Sequence, residues 1–154
     1  MAALGKNRLA SGSTDNTIII WNIHNGRIIR TINDIVEAES PKLSHVHLLR
    51  LPGEKLVHGS DYDVIKFWNI AQFGKHVSKH DGFSNGISSM TMLNDGSTLA
   101  IAPLDSNEAI RLVNINTGER IKSIWGNVNQ HELAVLENGR LISAASDDSI
   151  IIWK

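Results

Sequence analysis

The sequence predicts an all-β chain built from repeated small antiparallel sheets, and three observations carry that prediction. The phrase RLASGSTDNTIIIWN at residues 8–22 returns as RLISAASDDSIIIWK at residues 140–154, at a constant offset of 132 with no gap. Two further copies lie between them: KLVHGSDYDVIKFWN at 55–69, offset by 47, and LAIAPLDSNEAIRLVN at 99–114, which carries a two-residue insertion at Asn107 and Glu108. Each copy consists of apolar or β-branched runs broken by turn residues, with no sustained helical period.

The elements follow in order. MAAL reads as the first strand of the first unit, the quoted phrase supplies the second and third, and HNGRIIRTI turns at Asn-Gly into a fourth. The middle units repeat the plan, with NTGERIKSIW turning at Thr-Gly into its fourth strand. The last unit reads HELAVL, the turn ENG, RLISAAS, the turn DD and SIIIW, which makes three strands. Measured at Trp21, Trp68, Val113 and Trp153, the steps are 47, 45 and 40 residues, the spread of a divergent repeat with elastic loops. A strand such as IIIW is apolar on both faces, as expected where neighbouring sheets cover both sides. Four-stranded sheets stacked face to face, one per repeat, describe a β-propeller of about four blades with the last incomplete. The approximate blades are 1–35, 44–81, 86–125 and 131–154, and a chain of 154 residues is ordinary for one domain.

At LASGSTDNTIIIWN and LISAASDDSIIIWK the chain resembles the WD-repeat family of β-propellers. The resemblance implies a network joining a turn aspartate, a serine or threonine, a histidine and a tryptophan. Ser11 or Ser13 with Asp15 and Trp21, and Ser143 with Asp147 and Trp153, supply three of its four members. Ser60 and Trp68 are the corresponding motif residues of the second unit. The histidine is missing: where the family has Gly-His, this chain has Gly82-Phe83 and Gly126-Asn127. The closing Asp of the WD pair is Asn22, Asn69, Asn114 and Lys154, Tyr62 stands at a turn-aspartate position, and Val113 replaces a tryptophan. These departures read as loss of redundant stabilising contacts, and the blades are expected to be less tightly pinned than usual.

Composition excludes several roles. With 15 basic against 16 acidic residues the net charge is -1, so no global attraction draws the chain to nucleic acid or an anionic membrane. No cysteine is present for disulfides or thiolate metal sites. No signal-peptide pattern, spanning apolar run or N-x-S/T sequon occurs, and an intracellular, soluble, cytoplasmic protein is expected. The seven histidines are His24, His45, His47, His58, His76, His80 and His131. His45 and His47 alternate onto one face of a strand and form the competing reading, a propeller-based enzyme or metal site. No carboxylate stands at ligand spacing beside them, SGS lacks the frame of a nucleophile elbow, and the Gly-containing turns lead into no helix that would cradle a phosphate. A non-catalytic chain without cofactor is therefore expected.

Fold implies no single function, because this architecture is a platform for many partners. The expectation is a scaffold for protein–protein interaction, with a structural fragment of a larger WD-repeat protein as a further alternative. Turns between second and third strands share an end with the loops leaving fourth strands. That end gathers Asp15, Asp61, Asp63, Asp105, Glu108, Asp147 and Asp148, with Tyr62, Phe83 and Trp125 as aromatic anchors. A protein partner with a basic segment suits it. The opposite turns carry Lys6, Arg8, Arg27, Lys55, Lys75, Arg120 and Arg140 among fewer acids. The flat apolar edge SIIIW lacks a fourth strand, which makes self-association to complete the propeller a further expectation.

Overall fold

The computed structural model describes residues 1–15, 17–33, 46–60, 64–71, 75–81, 86–105, 108–126 and 130–153, with backbone alone at Ser60, Val64, 75–81 and 130–131. No helix occurs among the described residues, and the strands form four antiparallel sheets. The first holds β1 (Ala2–Gly5), β2 (Arg8–Gly12), β3 (Thr17–Asn22) and β4 (Arg27–Asn33). In the second lie β5 (Val46–Leu51), β6 (Lys55–Ser60), β7 (Val64–Asn69) and β8 (Lys75–Asp81). A third is made of β9 (Ile87–Met92), β10 (Thr98–Pro103), β11 (Ile110–Asn114) and β12 (Arg120–Ile124). The fourth has three strands, β13 (Gln130–Val135), β14 (Leu141–Ala145) and β15 (Ile150–Ile152). Within every sheet the strands neighbour one another in chain order, the meander that short local turns dictate.

Turn chemistry explains the meanders. The β1–β2 hairpin closes on Lys6 and Asn7, both in the left-handed region at φ 51° and 57°, the type I′ geometry whose twist matches the flanking strands. Gly26 and Gly118 take positive φ in the turns into β4 and β12, where a side chain would be strained. The asparagines that replace the closing Asp remain useful there. Asn22 Oδ1 accepts the His24 N–H at 2.9 Å, and Asn114 Oδ1 accepts those of Asn116 and Thr117 at 2.8 and 3.2 Å. A neutral amide oxygen closes these turns as an Asx acceptor, so the contact is kept while the charge is lost.

The strands fall into two compact units, the first two sheets in Met1–Asp61 with Ile65–Lys79, and the last two in Tyr62–Val64 with His80–Lys154. In the first unit Ala2, Leu4, Ala10, Ile18, Ile20 and Ile32 pack against Leu48, Leu56, Trp68 and Ile70 of the second sheet. In the second unit Ala100, Ala102 and Ile110 meet Leu133 and Leu141. Every residue of β10 is buried, as a strand covered on both faces requires. Burying a side chain such as Leu56 completely contributes about 1.5–3 kcal/mol, which sheets this small need, since an isolated hairpin is barely stable in water.

At Gly12 the first two sheets leave no room for a side chain. A Cβ there would collide with Val46 Cγ1, and valine is stiff about χ1. Gly12→Ala is therefore expected to cost about 1–3 kcal/mol by overpacking. Urea unfolding measures it, and Val46→Ala should recover part of the loss in the double variant. Additive losses in that cycle would show that the contact is not what restricts position 12.

Candidate protein-interaction surface

The motif residues resolve into two separate devices. The first is a serine–tryptophan bond that ties the second strand to the third. Trp21 Nε1–H donates to Ser11 Oγ at 2.8 Å, and Trp153 Nε1–H donates to Ser143 Oγ at 3.0 Å. Of the two serines considered for the first sheet, Ser11 takes the tryptophan, while Ser13 accepts the Asp15 N–H at 3.4 Å. In the second sheet Trp68 is buried and His58, also buried, occupies the serine's place. The Ser60 side chain lies outside the described residues.

The second device is a self-closing aspartate turn. Thr17 donates its N–H and hydroxyl to Asp15 Oδ1 at 3.0 and 2.7 Å, and Ser149 does the same for Asp147 Oδ1 at 3.1 and 2.6 Å. Among the described residues, neither aspartate bonds the tryptophan of its sheet, so the network implied by the resemblance divides here into two local pairs. Asp95 repeats the device at the opposite end, accepting from Thr98 and Ser97. In all three the hydroxyl of the following Thr or Ser, then its N–H or a neighbour's, holds the carboxyl below its ordinary value. These bonds favour the charged form. The signal is local and readable in sequence as an aspartate followed two or three residues on by Thr or Ser.

In the second unit the β10–β11 loop, the β14–β15 turn and the residue after β12 lie at corresponding ends of their sheets. Asp147 and Asp148 are exposed, and Asp148 has a φ of 62°. Asp105 and Glu108 are half-buried, and Glu108 stands 3.9 Å from Arg111. Ile110 pairs with Ile124, which sets Trp125 just beyond the end of the β11–β12 ladder, 69% exposed. In the first unit Asp15 is exposed in the β2–β3 turn. Asp61, Tyr62, Asp63 and Phe83 lie outside the described residues, as does His45; His47 is half-buried in β5 opposite Gly59. Among the described residues no group of three His, Asp or Glu side chains is placed to hold a metal ion.

Two long-range contacts had no signal in the sequence. Ser89 Oγ donates to Glu132 Oε1 at 2.8 Å and accepts the Leu133 N–H at 3.1 Å, joining the third sheet to the fourth. At the end opposite the aspartate turns, Glu54 receives Arg8 at 2.7 Å and Lys6 at 3.0 Å, joining the first sheet to the second. Glu54 itself sits in the left-handed region at φ 58°.

Comparison with known proteins agrees with this geometry. Residues 5–22 match the family model "WD domain, G-beta repeat". One WD repeat is thus matched in the first sheet, and the sheets have a β-propeller fold. Among solved structures the chain is similar to the computationally designed Ika4 protein, with 20% identity, a TM-score of 0.77, and coverage of 99% of this chain and 87% of that one. It is also similar to the WD40 β-propeller domain of Doa1, with 18% identity, a TM-score of 0.78, and coverage of 99% of this chain and 48% of that one. The chain thus spans about half the length of the Doa1 structure, and at such identity the likeness carries the fold alone. No curated protein matches the sequence. No helix of the described residues is long and apolar enough to cross a membrane.

The Glu54 cluster sets a pH dependence. Hydrogen bonds from Arg8 and then Lys6 hold its carboxyl at about 2, against an ordinary 4.5. Because the folded value is depressed, the contribution is complete above pH 4.5 and is lost as pH falls towards 2. Urea unfolding across that window should show a stability loss that Glu54→Gln flattens in part. Parallel profiles for the two proteins would remove the ion-pair cluster from the account.

Proposed function

We propose that this chain is a non-catalytic WD-repeat scaffold that binds a protein partner bearing a basic segment at the aspartate-turn end of its blades. The observation that supports it most is Trp125, a large indole left 69% exposed on the same blade as Asp105 and Glu108, next to the blade carrying Asp147 and Asp148. An exposed aromatic among carboxylates suits a contact in which charge steers the encounter and the ring anchors the complex. Both bonds to Asp147 fall on Oδ1 and the residue is exposed, so closing the turn still leaves a charged carboxylate for a cation. Asp15 offers the same arrangement in the first unit. Asp61, Tyr62, Asp63 and Phe83 belong to the same reading by sequence position. The cysteine-free composition accords with a cytoplasmic setting.

Surface plasmon resonance against a synthetic Lys/Arg-rich peptide, with a charge-reversed peptide as control, tests the reading. Asn is nearly isosteric with Asp and closes the same turn, so Asp147→Asn with Asp148→Asn removes charge while keeping the backbone. The pair should lower the association rate several-fold, and raising salt from 0.05 to 0.5 M should do likewise. Trp125→Ala should raise the dissociation rate about 10-fold or more. Binding that ignores salt, the carboxylates and Trp125 would place the partner site elsewhere.

A further inference from the structure

Blades stack face on face, so the turn ends of their strands stay open however many neighbours a blade has. In the first unit, the end opposite the aspartate turns gathers the β1–β2, β3–β4 and β5–β6 turns. The bonds of Lys6 and Arg8 to Glu54 set the first and last of these side by side across the seam between the two sheets. Arg50, near the end of β5, lies over Gly5, its Nη1 3.2 Å from the place a Cβ on that residue would take. Arg27 opens β4, two strands away from β2, and so stands about 10 Å from the strand of Arg8. Lys55 opens β6. Lys6, Arg8, Arg27, Arg50 and Lys55 thus share this end, and among the described residues Glu54 is its one carboxylate.

The same end of the second unit shows that packing does not call for this surplus of cations. There the β9–β10 turn meets the β13–β14 turn through Asn94, whose Nδ2 donates to the carbonyls of Leu136 and Glu137 at 3.3 and 3.4 Å. A neutral amide holds that seam. The turns around it carry Asp95, Glu119 and Glu137 against Arg120 and Arg140. The end is therefore strongly positive in the first unit and slightly negative in the second. Glu54 engages Lys6 and Arg8, while the exposed side chains of Arg27 and Arg50 have no carboxylate partner among the described residues.

We infer that this end of the first unit docks an acidic segment of a protein partner, whose carboxylates pair with Arg27 and Arg50 and compete with Glu54 for Lys6 and Arg8. Glu54 shows how the end receives such a group, with Arg8 Nη2 at 2.7 Å and Lys6 Nζ at 3.0 Å. A guanidinium offers paired donors that match a planar carboxylate, which suits Arg27 and Arg50 to the same task. An extended segment places alternate side chains about 7 Å apart on one side, so about five residues suffice to engage Arg27 and the seam together. A long polyanion such as nucleic acid suits the surface less, because the chain as a whole has a net charge of -1 and supplies no field beyond this patch. The surface takes the opposite charge from the aspartate-turn end and does not rest on the basic-partner reading.

Surface plasmon resonance of the full chain over an immobilised peptide of alternating Glu and Ser, about ten residues long, tests the inference, with Gln in place of Glu in the control peptide. The chain should bind the first peptide and not the second, and raising salt from about 0.05 to 0.5 M should weaken binding about 10-fold or more. Arg27→Gln and Arg50→Gln should each weaken it about 2- to 5-fold, with unchanged circular dichroism as the folding control. Glu54→Gln should act in the opposite sense and strengthen binding about 2- to 5-fold, because it releases Lys6 and Arg8 and removes a repelling charge. A purely structural role for these cations predicts no such gain. Arg120→Gln, at the matching end of the third blade, should change nothing. Equal binding to both peptides would overturn the inference, as would a Glu54→Gln chain that binds no more tightly than the natural one. A loss on Arg120→Gln as large as that on Arg50→Gln would overturn it in favour of unspecific attraction, and tighter binding of a single-stranded DNA of equal charge would overturn it in favour of nucleic acid.

Discussion

A small sheet that is apolar on both faces can be stable only when both faces are covered, and that requirement governs this molecule. Three or four strands of five residues cannot bury enough surface among themselves to offset the conformational entropy of ordering them. Each blade therefore depends on its neighbour, as Ile18 and Ile20 depend on Leu48 and Leu56, and Ile110 on Leu133 and Leu141. The period of the sequence is a record of that dependence. A phrase must recur because each copy meets the same physical problem, and it diverges wherever the problem can be met in another way.

Position 12 and its counterparts show how much divergence the packing allows. Gly12 is held to hydrogen by Val46, yet the register of the third blade places Ala102 at the equivalent site, and the fourth has Ala144. The tryptophan position varies in the same manner. Trp21 and Trp153 bond to serine, Trp68 is buried with His58 in the serine's place, and the buried Val113 gives up the hydrogen bond and keeps only the apolar packing. Apolar volume is common to all four blades, whereas the polar tie is not. This ordering follows from magnitudes, since one net hydrogen bond contributes about 1 kcal/mol and a buried large side chain about twice that.

The fold was legible in sequence because its determinants are local. Alternating apolar runs, Asn-Gly and Thr-Gly turns, and aspartates followed by Thr or Ser all act within a few residues, so RLASGSTDNTIIIWN carries the β2–β3 hairpin almost by itself. The three-stranded last sheet was legible for the same reason. Contacts between sheets were not. Ser89 with Glu132, and Glu54 with Lys6 and Arg8, link residues more than forty positions apart, and nothing in either segment points to the other. At the surface, the repeat says where a carboxylate stands in its unit but not which of them is spent on a neighbour, as Glu108 is near Arg111.

That last distinction bears on how a structural residue can also serve at a surface. A turn aspartate is selected first for geometry, because its carboxylate satisfies the N–H and hydroxyl of the residue that begins the next strand. The same bonds hold its carboxyl below the ordinary value, so the charge that stabilises the turn also persists at the surface. Such a turn therefore leaves a negative charge at the end of its own sheet, as at Asp15 and Asp147, without any requirement imposed by a partner. Recognition then needs only one addition that the repeat does not supply. Trp125 has that character: the fold does not bury it, and it lies just past the last rung of its ladder. The exposure of such a residue can be gained or lost through a few loop positions, while the blades beneath continue to answer to packing alone.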